Sequence, residues 1–119
     1  MLIIAEIGVN HGGDVDLAKR MVREAASAGV DVLKFQLRDL HACYGNLADA
    51  GGDAAAPGAL APYLPILRRT ALSPAELGEL KTLAESLGLG FLVTPFDPQS
   101  VAVLEGLGLG YGRDGGTAL

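Results

Sequence analysis

The sequence predicts an α/β fold of parallel strands, holding about three βα units of a parallel barrel, on three observations. Short apolar, β-branched runs recur at Leu2 to Ile7, Val30 to Phe35 and Leu89 to Val93. Amphipathic stretches with cap signals lie between them, and the spacing leaves room for a crossover helix. Each run ends in polar side chains: Glu6, Asn10 and His11, then Lys34 and Gln36, then Thr94. Strand ends that deliver polar groups at regular intervals are how a parallel α/β barrel builds a site.

The composition can supply the core. Of 119 residues, 50% are hydrophobic and 19% charged, which suits one domain and argues against disorder. Nine Lys and Arg face 14 Asp and Glu, for a formal net charge of −5. There is no basic footprint for nucleic acid, while a locally cationic site for an anionic substrate stays compatible with that balance. A single cysteine, Cys43, excludes an internal disulfide and a cysteine-built metal cluster. Alone in a polar loop, it reads as incidental rather than nucleophilic. No basic leader precedes the first strand, and no apolar run nears the ~20 residues a membrane span needs. The expectation is a soluble cytoplasmic chain with no membrane partner.

The first run, Leu2 to Ile7, is continuous except for Glu6, as in a strand buried on both faces. Gly8 to Asp14 is a turn cluster carrying Asn10 and His11. Asp14 then caps a helix whose stripe is Leu17, Met21 and Ala25, widened by Ala18 and Val22, with Gly29 as the terminating glycine. Val30 to Phe35 is the second strand. Alternation puts Lys34 and Gln36 on one face and Phe35 on the other. Leu37 to Thr70 is irregular, with a Gly/Ala/Asp/Pro-rich patch from Asp49 to Pro65. It reads equally as a lid, binding loop or subunit contact and as a tolerated insertion; Tyr63 to Leu72 suggests a helical turn.

Ser73-Pro74-Ala75-Glu76 is a strong helix start, followed by Leu77, Leu80, Leu83, Ala84 and Leu87 on the apolar face and Gly88 at the end. Leu89 to Val93 is the third strand, closing on Thr94-Pro95-Phe96-Asp97. Asp97 caps a further helix over Pro98 to Glu105. A fourth strand is due near Leu107 to Leu109, but the glycine-rich residues from Gly106 to Gly116 do not read as one. Nor is Gly108/Gly110/Gly112 a nucleotide loop, because such a loop follows a strand and opens a helix.

Among the polar residues, Glu6 in an apolar strand must be paired or hydrogen-bonded. It either pairs with Lys34 on the neighbouring strand or handles a proton of a substrate hydroxyl. Lys34 suits a phosphate or carboxylate; a Schiff-base role needs a depressed pKa that nothing in the sequence shows. Gln36 and Thr94 are neutral hydrogen-bonding groups at equivalent depth. His11 reads as a metal ligand, an acid–base group or a turn-stabilising residue, and with no second His at ligand spacing the metal site in this chain is set at none. His41 is expected to lie exposed on the long loop.

Ile4-Ala5-Glu6-Ile7-Gly8-Val9-Asn10-His11-Gly12-Gly13, Lys34-Phe35-Gln36, Leu72-Ser73-Pro74 and Thr94-Pro95-Phe96-Asp97 together closely resemble the amino-terminal third of the sialic acid synthase family. The resemblance runs from about Leu2 to Leu107. It implies a (β/α)8 TIM barrel that condenses phosphoenolpyruvate with an open-chain N-acyl amino sugar, with a divalent Mn or Mg polarising the aldehyde. By resemblance, Lys34 and Thr94 contact phosphoenolpyruvate, Gln36 contacts the sugar, Phe96 packs near it and Glu6 is the acidic catalytic residue. Asn10 and His11 join the substrate-binding set. The family is homodimeric. Its metal-binding histidines and later βα units have no counterpart here, so residues 1–107 read as a barrel portion and 108–119 as a divergent glycine-rich tail. That tail is expected to come from a frameshift, a premature stop or an incomplete gene, leaving the polypeptide inactive by itself. The rival readings are a non-catalytic half-barrel interaction module and another phosphoenolpyruvate-using, aldolase-like barrel.

Overall fold

The computed structural model describes residues 1–44 and 63–111. The first strand, β1 (Ile4–Gly8), leads through a tight turn to helix α1 (Val15–Ser27) and strand β2 (Val32–Leu37). Two short helices follow, α2 (Leu40–Tyr44) and α3 (Leu64–Arg69), then α4 (Pro74–Ser86), β3 (Gly90–Pro95), α5 (Pro98–Gly106) and β4 (Gly110–Tyr111). Asp49 to Pro62, most of the patch read as lid or insertion, lies outside the described residues, as does the tail beyond Tyr111.

The strands form one parallel sheet in the order β1-β2-β3-β4. Sequential order without reversal is the topology of a barrel wall; a doubly wound sheet reverses its order at a switch point. The packing agrees. Leu33, Phe35, Leu37, Phe91 and Val93 form one core with Ala18 and Val22 of α1, Leu77, Leu80 and Ala84 of α4, and Leu104 of α5. The helices therefore cover one face of the sheet. Phe35 stacks on Phe91 at 5.1 Å between ring centroids, in the offset range that aromatic pairs prefer. This is a partial (β/α)8 barrel.

Local chemistry sets the helix ends. Asp14 Oδ1 accepts from the backbone N–H groups of Asp16 and Leu17 at 2.9 and 3.1 Å. Ser73 and Glu76 form a reciprocal capping box: the Ser73 N–H donates to Glu76 Oε2 at 2.7 Å and the Glu76 N–H to Ser73 Oγ at 3.2 Å. Some expectations need correction. β2 and β3 begin later than the apolar runs suggest, and Leu2 and Ile3 precede β1 and are exposed. Leu17 and Leu87 face outward, because the buried line of α1 runs through Ala18 and Val22 and that of α4 through Leu77, Leu80 and Ala84. A fourth strand does form, two residues long, pairing Gly110 with Leu92 and Tyr111 with Val93. Backbone pairing to β3 supplies what the glycine-rich sequence does not signal.

Candidate active site

The face of the sheet turned away from the helices carries the polar residues. β1 and β2 pair Glu6 with Lys34, and β2 and β3 pair Lys34 with Leu92 and Gln36 with Thr94. Glu6, Lys34, Gln36 and Thr94 thus form adjoining rows near the carboxyl ends of three neighbouring strands. Lys34 Nζ lies 3.2 Å from Glu6 Oε2, with 24% of the Lys34 side chain and 46% of the Glu6 side chain exposed. A pair this accessible contributes of order 1 kcal/mol or less. It neutralises both groups without locking them, so a more highly charged anion can displace the carboxylate from Lys34.

The register slips between Glu6 and Gly8, which opens a bulge at the end of β1. Bulges re-aim side chains beside active sites. Here the slip keeps Ile7 in the helix-side core while the chain turns at Gly8, whose φ is +56°. A Cβ at Gly8 would sit 3.3 Å from Gln36 Nε2 and 3.4 Å from Glu6 Oε1. Glycine therefore suits both the conformation and the close seating of those two side chains.

His11 is placed differently. It is 2% exposed, stacked over Phe35 with 6.0 Å between ring centroids. The Gly13 N–H donates to Nδ1 at 3.0 Å, which puts the proton on Nε2, 3.2 Å from the Gly8 carbonyl oxygen. Burial pushes its pKa below the usual value, against the opposing pull of the Gly8 carbonyl and Glu76. Of the roles open to it in the sequence, these bonds support turn stabilisation. Asn10 belongs to the same turn: its Nδ2 donates to the Ile7 carbonyl at 2.9 Å, and its side chain is exposed. His41 is exposed at the start of α2.

Phe96 projects at the rim, 47% exposed, with the Arg38 guanidinium carbon 4.0 Å from its ring centroid. The Phe96 N–H donates to the Leu37 carbonyl at 3.1 Å, extending the β2–β3 pairing past the last ladder residues. Asp97 fastens this rim from below. Its Oδ1 accepts from the Ser100 N–H at 2.7 Å, and its Oδ2 from Ser100 Oγ at 2.7 Å and the Asp39 N–H at 2.8 Å. Burial raises the Asp97 pKa, but the bonds from Asp39, Ser100 and Cys43 outweigh it and hold the carboxyl below its usual range. Cys43 Sγ lies 3.5 Å from the same carboxylate, and burial together with that negative neighbour pushes its thiol pKa up. That is the opposite of an activated nucleophile. Sequence reasoning found Asp97 as a cap but not as the tie between two strand ends, because its partner Asp39 is distant in sequence. Arg38 was missed, although it continues the alternation of Lys34 and Gln36.

The family model described as the NeuB family matches residues 21–111. The chain belongs to the NeuB family. Lys34, Gln36, Thr94 and Phe96 lie inside the matched segment; Glu6, Asn10 and His11 precede it. The chain is 38% identical to the N,N'-diacetyllegionaminic acid synthase of Campylobacter jejuni, an alignment covering 91% of this chain and 33% of that protein. It is 33% identical to the N-acetylneuraminate-9-phosphate synthase of Mus musculus, over 95% of this chain and 32% of that protein. Among solved structures, the N-acetylneuraminic acid synthetase of Leptospira borgpetersenii superposes with a TM-score of 0.72 at 29% identity, over 92% of this chain and 34% of that one. This NeuB-family chain spans about a third of the length of the curated relatives it matches.

The described residues do not by themselves fit a divalent metal. No three His, Cys, Asp or Glu side chains converge among them, and both ring nitrogens of His11 are engaged within its turn. Among the described residues, no helix is long and apolar enough to cross a membrane.

Proposed function

We propose that the protein carrying this segment condenses phosphoenolpyruvate with an open-chain N-acyl amino sugar, of the N-acetylmannosamine kind, to give a nonulosonic acid. The observation that supports this reading best is the accessible Lys34–Glu6 pair on the open face of the sheet, flanked by Gln36 and Thr94 in register. Lys34 is the cation for the phosphate or carboxylate of phosphoenolpyruvate, and Thr94 donates to the same substrate. Gln36 holds a sugar hydroxyl or the acyl carbonyl, and Phe96 packs on the sugar. The CH2 carbon of phosphoenolpyruvate bonds to the aldehyde carbon, whose oxygen takes up a proton; water adds at the phosphate-bearing carbon, and its C–O bond then breaks to release inorganic phosphate and leave a keto group. We assign to Glu6, released from Lys34 as phosphoenolpyruvate arrives, the relay of that proton from the attacking water. A divalent metal and a homodimeric assembly belong to the same proposal, with the metal's ligands outside the described residues.

The test uses the complete protein that carries this segment, with phosphoenolpyruvate, N-acetylmannosamine and Mn. Condensation with phosphate release is expected. Lys34→Met should raise the KM for phosphoenolpyruvate by about tenfold or more, the loss of one charge-assisted contact, with the KM for the sugar much less affected. A Lys34→Met enzyme with unchanged phosphoenolpyruvate kinetics would remove the basis of this assignment.

A further inference from the structure

His11 lies on the helix side of the sheet, opposite the face that carries Lys34 and Glu6. It is buried, and its ring is stacked on Phe35, itself part of the helix-side core. A substrate on the open face cannot touch it there. Both ring nitrogens are spent instead on the backbone where β1 ends. Nε2 donates to the Gly8 carbonyl oxygen at 3.2 Å, and Nδ1 accepts from the Gly13 N–H at 3.0 Å. A neutral imidazole carries one donor and one acceptor on a rigid ring. It therefore spans the turn as a strut between two glycines whose φ angles are +56° and +82°. The neighbouring bonds of the turn go to other carbonyls: Asn10 donates to Ile7 from both its N–H and its Nδ2, and the Gly12 N–H to Val9. Gly8 also meets the site. A Cβ there would lie 3.3 Å from Gln36 Nε2 and 3.4 Å from Glu6 Oε1, so the ends of both side chains are seated against this one residue.

We propose that His11 is a positioning residue for the condensation, fixing through the Gly8 carbonyl the end of β1 against which Glu6 and Gln36 are seated. This rests on the condensation reading above, in which Gln36 holds the sugar and Glu6 passes the proton. The ladder slips between Glu6 and Gly8, so register alone does not set the Gly8 peptide, and the Nε2 bond supplies the missing constraint. Without it the peptide can rotate and carry with it the surface on which the two side chains rest. A displacement of about 1 Å in a reacting group is enough to cost roughly a hundredfold in rate. Lys34 and Thr94 stand on β2 and β3, away from the turn, so the contacts to phosphoenolpyruvate do not depend on the ring in the same way.

Two substitutions divide the two bonds. An Asn amide takes the place of Nδ1 and keeps an acceptor for Gly13, whereas a Gln amide takes the place of Nε2 and keeps a donor for Gly8. The complete protein is assayed with phosphoenolpyruvate, N-acetylmannosamine and Mn at a temperature where each variant is folded. His11→Asn should raise the KM for the sugar by about fivefold or more and lower kcat by about tenfold or more. The KM for phosphoenolpyruvate should move far less. His11→Gln should restore most of both losses. Gly8→Ala, whose Cβ presses on the same two side chains, should raise the sugar KM likewise, and it decides the matter where His11→Asn yields no folded protein. An unchanged sugar KM in the folded variants overturns the proposal. So does a fall in kcat with both KM values unchanged, which a smaller folded fraction alone would give, and so do equal defects in His11→Asn and His11→Gln. In each of these cases the unaltered protein still condenses its substrates and the synthase reading stands. Failure of the unaltered protein to condense them overturns both.

Discussion

At the scale of single residues, two buried groups make opposite use of their surroundings, and acid separates them. His11 is held neutral with its pKa below the ordinary 6.5. As pH falls below that value the unfolded chain takes up a proton that the folded turn resists, so stability is present above pH 6.5 and declines as pH falls toward the lowered folded value. Asp97 is held ionised with its pKa below the ordinary 3.8. Its contribution is therefore complete at neutral pH and lost only as pH falls below 3.8 through the depressed value. Urea unfolding against pH should show two separate losses, the upper one absent in His11→Gln and the lower one absent in Asp97→Asn. An upper loss that persists in His11→Gln would assign it to another group. The sequence made Lys34, Gln36 and Glu6 legible because strand alternation and a charge in an apolar run are local signals. The role of His11 was not legible, since it depends on Phe35 lying beneath the ring. Nor was the stacking of Arg38 on Phe96, which depends on the segment just past β3.

At the scale of elements, the most legible feature is also the easiest to test. The capping box at Ser73 and Glu76 was readable from four consecutive residues and is present with both of its hydrogen bonds. Ser73→Ala should cost about 1 kcal/mol, and thermal unfolding should register it as a Tm lower by about 4–8 °C. An unchanged Tm would mean that α4 is held by its core contacts alone. The β1–α1 turn offers a sharper case. Gly13 has a φ of +82°, and a Cβ there would collide with the carbonyl oxygen of Arg69 at the end of α3. Gly13→Ala should therefore destabilise by more than the ~1 kcal/mol of a simple glycine effect. That contact also fixes α3 against the first turn, a long-range relation absent from the local pattern. β4 escaped sequence reading for the converse reason: Gly110 has no strand propensity of its own, and pairing with Leu92 defines it.

At the scale of the molecule, the sheet is finished on one face only. The helices cover Leu33, Phe35, Leu37, Phe91 and Val93, while the opposite face holds the Lys34–Glu6 pair in partial contact with solvent. Among the described residues, β1 pairs with β2 alone and β3 meets only a two-residue β4. Both outer strands thus present backbone donors and acceptors that a closed barrel would pair with its remaining strands. Ile3 and Ile4 add apolar surface at the β1 edge, both exposed. The 119-residue polypeptide expressed by itself should lower the free energy of these edges by pairing with other copies. Sedimentation should show association that increases with protein concentration, and Ile4→Lys, which sets a charge at the edge, should reduce it. The same open geometry leaves phosphoenolpyruvate and the sugar with contacts from one side only, in water rather than in an enclosed site where the Lys34 charge acts at full strength. No condensation by this polypeptide by itself is therefore expected. A monomer at all concentrations that turns over phosphoenolpyruvate with N-acetylmannosamine and Mn would show that four strands suffice, and both expectations would fall together.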